Sequence, residues 1–235
     1  MTINLSGELI PDDWAELYRA YGYVAGFYCP ADVRTAIANL PEGEELVVEV
    51  NSVGGWVDGG AEIYSLLQGC KNPTRAVIQS MAASAASYMI MSCDSIDICL
   101  PAQMMIHNAH CGSYGSKVAH RRSAAMLETT DESILSCYAA RCGDKVDREK
   151  LRQMMDAETF LTSSQAVELG LADRIVGQEQ DTGGGMLAAD ACPNIVRAMR
   201  VLPDIGKLKA LREQDQEAKD RLDLEAEIGR YWGVS

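Results

Sequence analysis

The 235-residue sequence has no apolar run of the roughly 18 residues that a membrane-spanning helix requires. Its longest candidate, residues 81–91, is interrupted by Ser84, Ser87 and Tyr88. The first residues, MTINLSGELIPDD, contain neither the basic region nor the apolar core of a secretory signal peptide. From these absences we expect a cytoplasmic protein.

Basic residues and paired cysteines are also scarce. Lys and Arg together number 21 against 34 Asp and Glu, which gives a formal charge of −13. Because an acidic protein repels phosphate backbones, nucleic-acid binding is a poor expectation. The eight cysteines include no C-x-x-C pair, and His110 with Cys111 has no second pair of ligands at plausible spacing. We therefore expect reduced thiols and no metal site.

Hydrophobic residues make up 47% of the chain and charged residues 23%, which is ordinary for a globular protein with a buried core. In the first half, β-branched and apolar runs alternate with amphipathic stretches. This alternation predicts an α/β fold in which parallel strands are joined by right-handed crossovers. The predicted strands lie at 3–10, 46–50, 75–80, 95–100 and 102–108, and the predicted helices at 11–22, 30–40, 60–70 and 81–93.

The second half is predicted to be mainly helical. Its elements are a long helix, two shorter helices and a last strand, at about 116–141, 147–155, 162–170 and 171–176. A polar, glycine-rich stretch typical of a linker follows. Beyond it, charges of both signs interleave with a thin apolar stripe, which predicts a solvated helix. We therefore divide the chain into a main domain, a linker and an acidic helical C-terminal extension, at 1–178, 179–186 and 187–235.

Ser84, His107 and a carboxylate have the placements that nucleophilic acyl transfer needs. Ser84 lies where a strand is expected to turn into a helix, and His107 ends a predicted apolar strand. Asp156 and Glu158 follow a predicted helix. A serine hydroxyl is a weak nucleophile until a base removes its proton, and the base needs a carboxylate to fix its tautomer. Taken alone this trio is weak evidence, because most chains offer one.

A glycine-rich loop, NSVGG at residues 51–55, follows the predicted strand 46–50. Gly54 and Gly55 permit positive φ angles and expose backbone N–H groups that can bind an anion. A plain turn between strand and helix is the competing interpretation.

Residues 46–176 resemble the Clp proteolytic subunit (ClpP) family of the crotonase-like superfamily. Four segments carry the resemblance in the family's order: VEVNSVGGWVDGGAEIY, MAASAAS, MMIHN and MDAETFLTSSQAVELGLADRIV. The resemblance implies an α/β fold of repeated β-β-α units wound into a superhelix, with a helical handle. It also implies a serine endopeptidase that needs no cofactor, acts on proteins or peptides and forms a ring-shaped homo-oligomer.

Carried over residue by residue, the resemblance makes Ser84 the nucleophile and His107 the general base. The backbone N–H groups of Gly55 and Ala85 would form the oxyanion hole. Gly54 would shape the loop that borders the substrate.

The third member of the triad has two candidates. Counted back from Phe160, the family's acidic position falls on Glu158. Counted forward from His107, the spacing lets Asp156 compete. We expect Glu158 in this role, with Asp156 as its rival.

Several positions depart from the family's pattern. Val53 stands where Pro is usual, so that loop is less fixed in φ. Asn108-Ala109 replaces the usual residue–Pro pair after the histidine. Ser87 and His110 are local rivals to the nucleophile and the base.

The length, the acidic tail and Glu158 resemble the ClpP-related head maturation proteases of tailed phages, which clip scaffold and capsid proteins in the host cytoplasm. An ATPase partner would be needed only to unfold large substrates. Three alternatives stay open: a ClpP-type proteolytic subunit that works with an ATPase unfoldase, a catalytically weak scaffolding or assembly protein, and an acyl-CoA enzyme of crotonase type. The long helix would belong to the handle, where four side chains either dock a second ring or pack in the core, namely Met126, Leu127, Ile134 and Leu135.

Overall fold

The computed structural model describes residues 1–177, 204–214 and 216. Within them, eight strands form one sheet that helices flank. The strands are β1 (Thr2–Leu9), β2 (Phe27–Tyr28), β3 (Leu46–Gly55), β4 (Thr74–Ala83), β5 (Ser95–Cys99), β6 (Gln103–Ile106), β7 (Thr159–Thr162) and β8 (Arg174–Val176). The helices are α1 (Asp12–Ala20), α2 (Pro30–Ala38), α3 (Val57–Gln68), α4 (Ala85–Tyr88), α5 (Lys117–Cys142), α6 (Arg148–Asp156) and α7 (Ser163–Leu169), and residues 205–214 are also helical.

The strands follow the order β2-β1-β3-β4-β5-β8 across the sheet, and all of these neighbours pair in parallel. β6 lies beside the C-terminal end of β4, also in parallel, and β7 pairs with β6 in the antiparallel direction. The predicted α/β fold with parallel strands is confirmed. Because parallel strands end at the same edge of a sheet, the residues that follow β3, β4 and β6 come together there.

β3 lies inside the sheet and illustrates why these runs form buried strands. Leu46, Val48 and Val50 are fully buried and alternate with half-buried residues. Branched side chains pack well on a pleated surface that helices cover. α3 contributes Ile63 and Leu67 to the same core.

The predicted helix at 81–93 is wrong over much of its length. Residues 81–83 extend β4 and pair with residues 103–105 of β6. The helix that follows, α4, is a single turn. The run of small residues has no clear periodicity of its own, so pairing with β6 decides its conformation.

The sequence pattern does not predict β2 or β7. β2 has only two residues, and pairing with the end of β1 fixes it. β7 is held by antiparallel pairing with β6, in which Thr159 lies opposite Ile106. Both are short strands whose partners are distant in the sequence.

The long helix α5 divides into two parts. Its C-terminal part packs in the core through Ile134, Leu135 and Tyr138. Its N-terminal part is largely exposed, and the exposed fraction of Met126 is 54%. Of the four side chains considered for docking, Ile134 and Leu135 therefore belong to the core, whereas Met126 lies at the surface and Leu127 is half-buried.

One part of the predicted extension lies against the start of the chain. Leu208 is 4% exposed and packs in a second apolar cluster with Ala15 and Leu17 of α1. Lys209 Nζ lies 5.6 Å from the ring centre of Trp14, within the range of a cation–π contact. The predicted linker at 179–186 and the rest of the extension are outside the described residues, so the division of the chain stays a prediction.

Three sequence expectations concern membrane spans, metal sites and cysteines. Among the described helices, none is both long and apolar enough to cross a membrane. In the part of the chain that the structure describes, no group of three or more His, Cys, Asp or Glu is arranged to hold a metal ion. Cys99 is disulfide-bonded, so the expectation of reduced thiols is wrong at that position. Among the described residues, the free thiols are those of Cys29, Cys70, Cys93, Cys111, Cys137 and Cys142.

Candidate active site

Ser84 occupies the sharp turn between β4 and α4. Its backbone has φ 55° and ψ −129°, a conformation that residues other than glycine rarely adopt. Two hydrogen bonds hold the turn: the Ser84 N–H donates to Met105 O, and the Ser84 carbonyl accepts from the Ser87 N–H, both at 2.9 Å. Such backbone strain, on the order of 1–3 kcal/mol, clusters at functional sites.

His107 follows β6 and faces Ser84 at the edge of the sheet. Ala83 of β4 pairs with Met105 of β6, so the residues that follow these two strands are neighbours. His107 Nε2 lies 2.7 Å from Ser84 Oγ, which is a hydrogen-bond distance. The fold thus brings together the predicted nucleophile and the predicted base.

The surroundings of His107 lower the pKa of its imidazole. Partial burial is the largest cause, because it penalises the charged form, and the nearby His110 adds to it. The carboxylates of Glu158 and Asp131 act in the opposite direction and raise the pKa. Since the ordinary pKa is 6.5, the lowered value leaves His107 neutral at pH 7 and able to accept a proton.

Glu158 and Asp156, the two predicted carboxylates, have different surroundings. Glu158 immediately precedes β7, has a φ of 48° and is exposed. Its charge acts on His107, although no carboxylate of the described residues lies within hydrogen-bond distance of that ring. Asp156 Oδ1 instead accepts a hydrogen bond from Asn108 Nδ2 at 2.7 Å.

Gly54 and Gly55 form the adjoining side of the site at the end of β3. Both have positive φ angles, 91° and 149°. A Cβ atom on Gly54 would lie 2.6 Å from Ala83 O and 2.8 Å from Ser84 Cβ, so this loop packs directly against the Ser84 turn. The buried Ser52 Oγ accepts a hydrogen bond from the Gly54 N–H at 3.0 Å, which fixes the loop on its buried side.

A small open cleft unites these elements. Gly55, Ser84, Ala85 and His107 all line it. The backbone expected to bind an oxyanion therefore borders the same space as the hydroxyl and the imidazole. A nucleophile, a base and backbone N–H groups around one cleft are the components of nucleophilic acyl transfer.

One known protein family matches most of the chain. A family model described as Clp protease matches residues 35–179, which is more than half of the chain. The chain belongs to the Clp protease family. The mixed α/β architecture with a parallel sheet agrees with that membership. Clp proteases are peptidases that act on protein substrates and typically assemble into rings.

In this Clp protease, the local rivals of Ser84 and His107 have other contacts. Ser87 is fully buried, and its hydroxyl donates to Ser84 O at 2.7 Å and lies 2.6 Å from Tyr138 OH. It therefore supports the turn. His110 is exposed, and its ring centre lies 5.5 Å from that of His107. The hydrogen bond to Ser84 Oγ is made by His107.

Asp131 and Tyr138 contact the site of this Clp protease, although no sequence motif marks them. Both lie on α5, seven residues apart and hence on one face of the helix. Asp131 Oδ1 accepts the Ala109 N–H at 2.7 Å, and Tyr138 contacts Ser87. Their helical spacing indicates a shared face, but it does not indicate what that face contacts.

Proposed function

We propose that this protein is a serine endopeptidase in which Ser84 is the nucleophile and His107 the general base. The observation that carries the proposal is the 2.7 Å distance between Ser84 Oγ and His107 Nε2 in an open cleft. The lowered pKa of His107 supports it, since a base must be neutral to accept a proton.

The proposed reaction has two stages. In acylation, Ser84 Oγ attacks the peptide carbonyl carbon while its proton passes to His107 Nε2. His107 then gives that proton to the leaving amine as the C–N bond breaks, which leaves an ester on Ser84. In deacylation, a water loses its proton to His107 and attacks the ester. The carboxylic acid product departs, and the proton returns to Ser84 Oγ.

For the oxyanion hole we propose the backbone N–H groups of Gly55 and Ala85. Two observations support this assignment. Both residues line the cleft beside Ser84, and Ala85 begins α4 directly after the nucleophile. Fixed N–H donors of this kind stabilise the negative oxygen of the tetrahedral intermediate. Gly54 supports them by letting the loop lie against the Ser84 turn.

For the third member of the triad we propose Glu158. Its charge acts on His107, whereas Asp156 is bonded to Asn108. Glu158 is exposed, so its side chain is free to turn toward the ring when substrate or a neighbouring subunit is bound. A glutamate in this role has precedent among serine hydrolases.

Hydrolysis of fluorescein-labelled casein tests the proposal. We expect wild type to release label. The rate of hydrolysis should be at least about 100-fold lower for Ser84→Ala and for His107→Ala. Glu158→Gln should lose much more activity than the matched variant Asp156→Asn. Full activity of Ser84→Ala would overturn the proposal. Loss in Asp156→Asn with normal activity of Glu158→Gln would transfer the third role to Asp156.

We further propose a role as a head (prohead) maturation protease of a tailed phage, acting on capsid or scaffold proteins. The resemblance described above, the glycine-rich stretch at 179–186 and the charged extension support this role. In the test, wild type is mixed with the inactive Ser84→Ala protein, and intact masses are followed over time. We expect cleavage in the extension.

Other outcomes of the mixing and casein experiments, taken together, select the alternatives. Casein digestion with an intact extension would contradict self-processing and favour a proteolytic subunit that works with an ATPase unfoldase. Absence of both activities would favour a scaffolding protein with the same fold.

For assembly we propose a ring-shaped homo-oligomer that uses the exposed part of α5. Met126 at 54% exposure and Val118 at 55% are large apolar side chains there. Light scattering coupled to size exclusion should give a multiple of the 25.5 kDa chain mass. Met126→Glu should lower that mass, and the exposed-surface control Glu128→Gln should not. A monomeric wild type would contradict the assembly.

A further inference from the structure

The two residues that follow His107 are each bonded to a carboxylate. Asn108 Nδ2 donates to Asp156 Oδ1, and the Ala109 N–H donates to Asp131 Oδ1, both at 2.7 Å. The second bond depends on Ala109, because a proline at this position would have no N–H to donate. This chain therefore has a backbone contact at the base that a residue–Pro pair cannot make.

Asp131 is well placed to fix that contact. It lies on α5 three residues before Ile134 and seven before Tyr138, both of which are buried in the core. Its own side chain is half-buried. The helix therefore holds Asp131 in place beside Ala109, which directly precedes the exposed residues 110–116.

The charge of Asp131 has no paired cation in the part of the chain that the structure describes. None of the ion pairs among the described residues includes it, whereas the adjacent Glu132 pairs with Arg148 and Arg152. The unpaired negative charge of Asp131 therefore lies beside the segment that carries His107.

We propose that Asp131 is a positioning residue for His107: it anchors the backbone of the following loop through Ala109 and, together with Glu158, stabilises the imidazolium that forms when His107 accepts the Ser84 proton. This inference rests on the proposed function. It assigns part of the role of the usual third carboxylate to a residue on α5.

Several groups set the charge around His107. Burial and His110 lower the pKa of the imidazole, and Glu158 and Asp131 raise it. Asp156 acts on the segment only through its bond to Asn108. Removing the charge of Asp131 therefore lowers the pKa of His107 further.

Two variants separate the two roles of Asp131. Asp131→Asn keeps an oxygen that can accept the Ala109 N–H, but it removes the charge. Asp131→Ala removes both. Glu128→Gln, one turn earlier on the exposed part of α5, is the matched control because it changes the net charge by the same amount.

Two measurements read out these variants. The first is the rate at which diethyl pyrocarbonate modifies His107 as a function of pH, located by peptide mass spectrometry. The reagent attacks the neutral imidazole, so this rate reports the pKa of His107 without any need for catalysis. The second is the pH profile of kcat/KM with a peptide substrate, combined with circular dichroism to check folding.

We expect Asp131→Asn to shift both pH curves of His107 to lower pH and Glu128→Gln to leave them in place. Asp131→Ala should show the same shift. Its kcat/KM should also be about tenfold to hundredfold lower than that of Asp131→Asn, which is on the order of what misplacement of a catalytic group costs. Unshifted curves in Asp131→Asn would overturn the electrostatic role. Equal kcat/KM in the two Asp131 variants would overturn the anchoring role.

Failure of the proposed function gives a different result. If Ser84 is not a nucleophile, wild type shows no hydrolysis, yet the modification curve of His107 still responds to Asp131→Asn. If Asp131→Ala does not fold, Asp131→Asn alone decides the electrostatic role through the same curve.

Discussion

The hydroxyl of Tyr138 lies 2.6 Å from Ser87 Oγ, and Ser87 in turn donates to the carbonyl oxygen of Ser84 at 2.7 Å. Because Ser87 uses its single hydroxyl hydrogen on Ser84, the Tyr138 hydroxyl is the donor between the two. A residue of the long helix α5 thus supports the turn that carries the proposed nucleophile.

Tyr138→Phe should weaken this support without opening a cavity. We expect the free energy of unfolding to fall by about 1 kcal/mol, the net value of one buried hydrogen bond. The rate at which Ser84 reacts with a fluorophosphonate should fall as well, because the turn is less well held. Urea denaturation and labelling kinetics measure the two effects.

The control for Tyr138→Phe is Tyr64→Phe. Tyr64 is a half-buried tyrosine whose hydroxyl donates to no other described side chain or carbonyl. An equal loss of labelling rate in both variants would show that the bond to Ser87 is unimportant for the site.

Gly54→Ala should abolish activity through a local clash. The new Cβ would lie 2.6 Å from Ala83 O, and the positive φ of 91° adds strain. Gly43→Ala is the matched control, because Gly43 has a φ of 81° but nothing within 4 Å of its Cβ position. It should lose only about 1–2 kcal/mol of stability, the cost of left-handed backbone.

Casein hydrolysis and urea denaturation distinguish these two glycine variants. We expect Gly43→Ala to retain its kcat/KM and Gly54→Ala to lose it. Normal hydrolysis by Gly54→Ala would mean that the loop does not need to lie against Ser84.

His110→Gln should shift the activity profile toward higher pH. His110 lowers the pKa of His107, so its removal raises that pKa. A base works in its neutral form, and the acidic limb of kcat/KM against pH therefore moves up. His120→Gln is the control, because His120 bonds to Ser113 and does not act on His107. A shift to lower pH in His110→Gln would contradict this account.

The local parts of the fold and the site can be predicted from the sequence. The strand at 46–50 is rich in β-branched residues, and the loop at 51–55 has glycines where the backbone needs positive φ. The pairing of Ser84 with His107 follows once both are placed at the ends of parallel neighbouring strands.

The parts that depend on distant contacts cannot be predicted in this way. Residues 81–83 form a strand because β6 pairs with them, and their small side chains carry no period that indicates it. Asp131 and Tyr138 support the site through contacts to residues 22 and 51 positions away. Sequence spacing also leaves Glu158 and Asp156 as rivals, because distance along the chain does not specify which carboxylate acts on His107.

Fluorophosphonate labelling followed by intact-mass analysis tests most directly the claim that His107 activates Ser84. We expect one adduct on wild type at pH 7, none on Ser84→Ala, and labelling at least about 100-fold slower on His107→Ala. An adduct that persists in Ser84→Ala, or equal labelling rates for wild type and His107→Ala, would contradict the account.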